Sequence, residues 1–115
     1  MASSTIKKIG VEELDYVQLG EGYPSVNVST QKGTTLGLLK AIHITFTLTS
    51  SSIPADSEVF KIESKMHPIA NYAVVCGIDG NTNKIYHFYI DISGKFYCTE
   101  TIPQTVSMRI IGTYI

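Results

Sequence analysis

The chain has no tryptophan, only two cysteines among 115 residues, and few charges. Charged residues make up 17%, below the roughly 25% usual for soluble domains. Nine basic and ten acidic side chains leave a net charge of −1, and no block of Lys or Arg breaks the balance. Nucleic-acid binding through the phosphate backbone therefore has no electrostatic footprint. No apolar run approaches the ~20 residues of a membrane-spanning helix. The N-terminal "MASSTIKKIGVEEL" lacks the apolar centre of a secretory signal. A soluble chain without membrane insertion or signal-peptide export is the expectation.

Cys76 and Cys98 each sit in an apolar run, with no second Cys or His at metal-site spacing, which argues against zinc. The residues leave two arrangements open. Both thiols are buried and free, packing as small hydrophobes, or they form a disulfide between neighbouring strands. Other catalytic signatures are missing too. There is no Gly-x-Ser-x-Gly elbow and no phosphate-loop spacing, and His43, His67 and His87 fall on separate segments. No catalytic residue, metal ligand or cofactor is assigned, and the chain is read as a non-enzyme.

What the chain has is alternation. "LLKAIHITFTLT" puts Ile42, Ile44, Phe46 and Leu48 on one face and His43, Thr45 and Thr47 on the other. "KIYHFYIDI" separates Tyr86, Phe88, Ile90 and Ile92 from His87, Tyr89 and Asp91. "SVNVST", "EVFKI", "KFYCT" and "TVSMRIIGTYI" add further strands, and "YAVVCGI" is apolar enough for burial on both faces. Asp79 to Lys84, "DGNTNK", reads as one turn, and Ser93-Gly94 as a two-residue hairpin turn. Ile53-Pro54 ends a strand because proline offers no amide hydrogen, and the serines before it suggest a crossing between two sheets. The only helix candidate is "TIKKIGVEELDYV", interrupted by Gly10.

These features predict one all-β domain over residues 1–115: a single antiparallel β-sandwich or jelly-roll-like barrel of seven or eight strands. Residues 1–24 form a lead-in arm or short N-terminal segment. Ile42, Ile44, Phe46, Phe88 and Ile90 are expected in the core. The polar face of "KIYHFYIDI" is the candidate ligand-binding site. His87, Tyr89 and Asp91 recur there at about 7 Å, the scale of a sugar ring, and His43 joins them from the other clear strand. An aromatic ring suits the face of a sugar, and a carboxylate accepts hydroxyl hydrogen bonds. The competing reading of this face is ordinary solvated surface or a subunit contact.

The order of "SSSIPADSEVFKIESKMHP" and "IYHFYIDISGKFYCTETIP" resembles the C-terminal head domains of tail fibres and receptor-binding proteins of phages that infect Gram-positive bacteria. Gly33-Thr34-Thr35 ahead of "LLKAIHITFTLT" fits the same pattern, and the resemblance runs from about Val26 to Pro103. It implies a β-sandwich or jelly-roll head that forms a homotrimer and binds host cell-surface polysaccharide. It implies a place in the virion, or a soluble prophage-encoded protein. The alternative role is a small virion structural protein, a head-fibre, decoration or baseplate component that binds other virion proteins. A small glycan hydrolase on a jelly roll is the enzymatic alternative, and no assembled catalytic set supports it.

Overall fold

The computed structural model describes residues 11–14, 17–19 and 26–115. Nine strands run in chain order: β1 Val11–Leu14, β2 Val17–Leu19, β3 Val26–Leu36, β4 Leu39–Leu48, β5 Glu58–Ile62, β6 Tyr72–Asp79, β7 Ile85–Asp91, β8 Lys95–Cys98 and β9 Ser107–Tyr114. All pairings are antiparallel, in the order β1-β3-β4-β9-β6-β7-β8-β5-β2. The seven strands from β3 onward form one sheet that curls into a nearly closed barrel. The expected all-β antiparallel class is therefore observed, as a single curled sheet.

Two short strands lie within the N-terminal segment. β1 pairs with β3 and β2 pairs with β5, at opposite ends of the sheet order, yet only two residues separate them in sequence. β1 and β2 thus lie at the two opposite ends of the sheet order. The helix candidate is overturned where it is described, since Val11–Leu14 is strand and residues 5–10 lie outside the described residues. Pairing with the β3 edge outweighs a weak local helical spacing that Gly10 already interrupts.

The core lies inside the curl. Ile42, Ile44, Phe46, Phe88 and Ile90 are 0–4% exposed, as their alternation requires. Phe60 stacks on Phe96 with centroids 4.6 Å apart and meets Phe46 edge-on at 5.9 Å. Close approach explains Gly77, which faces this core from β6. A Cβ there would lie 2.7 Å from the Met108 sulfur and 2.8 Å from the Phe88 ring. Lys40 also points inward, at the end of β4, and its ammonium donates to the Leu38 carbonyl at 3.2 Å.

The Ile53-Pro54 step does not cross between two sheets, because there is one. It carries the chain over the end of the barrel from β4 to β5, which lie far apart in the sheet order. Ile53 exchanges backbone hydrogen bonds with Ile102 at 2.9 and 2.8 Å, and both side chains are fully buried. At the opposite end a 3₁₀ turn, Ser64–Met66, closes the barrel, and the Tyr114 hydroxyl donates to the Met66 carbonyl at 2.6 Å. Burial pushes the Tyr114 hydroxyl well above its ordinary range.

Two turns depend on carboxylates. Asp79 is 1% exposed and accepts from the amides of Asn81 and Ser107 and from the Thr82 hydroxyl, at 3.0–3.1 Å. Desolvation pushes its carboxyl upward, but these three bonds outweigh it and hold the group below the usual carboxylate range. Asp91 does the same for the next hairpin. That turn has three residues, Ile92 to Gly94, rather than the two expected, because the Asp91 carboxylate captures the Ser93 and Lys95 amides. Gly94 supplies the positive φ of +83° that ends it. Ile92 belongs to this turn and is exposed, so it leaves the inward row of β7.

Candidate functional site

Alternation along β6, β7 and β9 decides what the outside of the barrel presents. "YAVVCGI" is not buried on both faces: Ala73, Val75 and Gly77 face inward, while Tyr72, Val74, Cys76 and Ile78 face outward and are exposed. The reason is architectural. A single curled sheet has one packed side, and among the described residues no second layer covers the other. Val74 (56%), Ile85 (57%) and Ile111 (60%) form one apolar area with Cys76 and Ile78 on these three strands.

The cysteines follow the same rule. Cys76 is exposed on β6, whereas Cys98 is buried on β8, where its thiol donates to the Pro54 carbonyl at 3.2 Å. The expected burial holds for Cys98 alone. β7 lies between their strands and they face opposite sides, so the disulfide alternative is overturned and both thiols are free. Burial pushes the Cys98 thiol upward.

Below the apolar area, at the Asp91 end of the barrel, three tyrosines line up across β6, β7 and β8. Tyr89 and Tyr97 are paired across the ladder and stack at 5.0 Å with an interplanar angle of 15°. Tyr72 meets Tyr89 edge-on at 6.2 Å. Asn71, Tyr72, Tyr89 and Asp91 line an open cleft of about 400 Å³. The Asp91 carboxyl is desolvated, which raises it, but the Ser93 hydroxyl, the Lys95 and Ser93 amides and the Lys95 charge together hold it below its ordinary value. Burial, then the Asp91 charge, push the Tyr97 hydroxyl upward. The site thus offers a carboxylate that stays ionised beside an aromatic surface.

The structure brings Tyr89 and Asp91 together in this cleft, with His87 exposed on the same strand face but outside its lining. His43 is elsewhere. It shares a row with Ile111, Cys76 and His87, and three strand steps of about 4.8 Å separate the two histidines. The roles within the cleft also differ from expectation. Tyr89 already carries Tyr97 on one face, so the ring open to a ligand is Tyr72, which is 59% exposed. Asp91 commits Oδ1 to three donors at 2.6–3.0 Å, leaving Oδ2 as the oxygen for a ligand. Tyr72, Tyr97 and Asn71 were missed as site residues. Tyr72 was hidden in a run read as core, and only cross-strand register places Tyr97 opposite Tyr89.

Among the described residues no group of His, Cys, Asp and Glu is placed to hold a metal ion, and no helix is long and apolar enough to cross a membrane. No protein-family model matches the chain, and no curated protein matches it.

Proposed function

We propose that this chain is a non-catalytic recognition head that self-associates through the outer face of β9, β6 and β7 and binds saccharide in the Tyr72–Tyr89–Asp91 cleft. The observation that carries the reading is that outer face, apolar toward Ile85 and Ile111 and aromatic with one carboxylate toward Tyr72. Contiguous apolar surface on a small domain marks a contact site. An exposed tyrosine beside an ionised carboxylate suits the apolar face and hydroxyls of a sugar ring. The resemblance to phage receptor-binding heads agrees with both halves, and from it we take a homotrimer and a host cell-surface polysaccharide as the proposed partners, with the virion as the proposed location.

The test is cosedimentation of the protein with polysaccharide from Gram-positive cell walls. Tyr72→Ala is expected to keep its fold and mass but lose about tenfold or more in affinity, the scale of 1–2 kcal/mol for a lost aromatic contact. Asp91→Asn keeps an acceptor for the turn while removing the charge, and it is expected to weaken binding similarly. Unchanged binding in both variants would remove the cleft from the account.

A second reading has its own support. The exposed area contains more aliphatic than polar side chains, which suits a protein partner better than a sugar. On that reading the chain is a virion structural component. Association with capsid or baseplate proteins, lost in Ile111→Ser and kept in Tyr72→Ala, would select it.

A further inference from the structure

At the other end of the barrel the sheet holds a groove of different chemistry. β3 slips register between Val28 and Thr30, so that Ser29 is an extra residue against β4. Such bulges bend the strand and re-aim side chains. The groove beside it, of about 420 Å³, is lined by Ser29, His43, Thr45, Thr47, Ser107 and Arg109, among others. The Ser29 and Thr45 hydroxyls bond each other at 2.7 Å. No carboxylate lines the groove, and Arg109 has no acidic partner within ion-pair distance among the described residues. Lys32 pairs with His43 across the ladder. The His43 Nε2 is buried without a hydrogen-bond partner.

We propose that this groove is a separate binding site for an anionic sugar, one carrying a carboxylate or a phosphoryl group. The charge of the ligand follows from Arg109, which has no acidic partner among the described residues, in a chain whose net charge is −1 and so has no general basic bias. Its hydroxyls follow from a wall of Ser and Thr, each able both to donate and to accept. The Tyr72 cleft cannot serve the same ligand, because Asp91 would repel it. It is also distant: Tyr72 and Ile78 begin and end the outward row of β6, six residues or about 20 Å apart. The inference stands independently of the cleft.

The experiment is a titration of isotope-labelled protein, followed by amide chemical shifts, with glucuronate, glucose 6-phosphate, inorganic phosphate and glucose. One or both anionic sugars are expected to shift the amides of His43, Thr45, Ser107 and Arg109 and to leave those of Tyr72 and Asp91 in place. Glucose is expected to bind about tenfold more weakly or worse, the scale of one charge-assisted hydrogen bond. Arg109→Gln, at an exposed position, is expected to keep the wild-type spectrum and to weaken the anionic sugar by a similar factor. Thr45→Val removes a hydroxyl without touching the charge and is expected to weaken the sugar but not inorganic phosphate. Glucuronate binding alone assigns a carboxylate, and glucose 6-phosphate binding alone assigns a phosphoryl group. The proposal is overturned if neither anionic sugar moves these amides, if Arg109→Gln binds as tightly as wild type, or if inorganic phosphate binds as well as the phosphorylated sugar.

Discussion

Strands β6 and β7 carry two sets of side chains with opposite fates. Inward, Ala73, Val75, Tyr86, Phe88 and Ile90 are buried against the far side of the curl. Outward, Tyr72, Val74, Ile78 and Ile85 are as apolar but stay exposed on the single chain. On β6 the residue types barely distinguish the two faces, so there hydrophobicity alone does not say which one folds the protein. Curvature does. The inner face closes on itself, and the outer face finds no partner among the described residues. A residue inside contributes to stability, while an equally apolar one outside is available for contact with another molecule.

The largest expected effect comes from the inner face. Phe88→Ala should cost about 3–5 kcal/mol in denaturant titration, from lost transfer energy and the cavity left beside Gly77. A loss below about 1 kcal/mol would mean that the inner face is loosely packed and that the contrast between faces is false.

Next come the turn carboxylates that join the strands. Asp79→Ala strands the Asn81 and Ser107 amides and should cost about 1–3 kcal/mol. The pH dependence follows in sign. Asp79 and Asp91 both titrate lower in the folded chain than in the unfolded one, where an aspartate titrates near ~3.9. Their contribution is complete above that value and is lost as pH falls through the folded values. Thermal melts should therefore be flat in this respect from about pH 5 to 7 and fall steeply below about pH 4. Asp79→Asn should flatten that acid limb.

The smallest effect on folding is expected outside. Ile85→Ser and Ile111→Ser should each change the stability of the isolated domain by about 0.5 kcal/mol or less, since neither side chain is buried. Their effect should fall on assembly, visible as a lower sedimentation mass and a melting temperature that no longer rises with concentration. A large loss of single-chain stability would show that the outer face is part of the fold.

The same contrast marks how much could be read in advance. Each strand from β3 to β9 announces itself by alternation or a turn, and the core of β4 and β7 follows directly from Ile42, Phe46, Phe88 and their neighbours. β6 misled, because "YAVVCGI" has the composition of a strand buried on both sides, and only closure of one sheet shows that half of it faces out. β1 and β2 could not be seen either. Val11–Leu14 and Val17–Leu19 are short, and what makes them strands is pairing with β3 and β5, an interaction distant in sequence. The site was legible in part for the same reason. Tyr89 and Asp91 share a strand, so spacing finds them, whereas Tyr72 and Tyr97 reach Tyr89 only through register. His43 was added from the polar face of the other clear strand, and strand order separates it.

Cys76 provides the most direct test of the outer face as a contact surface, because it lies among Val74, Ile78 and Ile111 and the second thiol, Cys98, is buried. The measurement is maleimide labelling of native protein, resolved by residue with mass spectrometry, in wild type and in the Ile85→Ser/Ile111→Ser double variant. The account predicts that Cys76 is protected in the assembled wild type and labels rapidly in the variant, while Cys98 is protected in both until the protein unfolds. Equal, rapid labelling of Cys76 in wild type and variant at every protein concentration would contradict it.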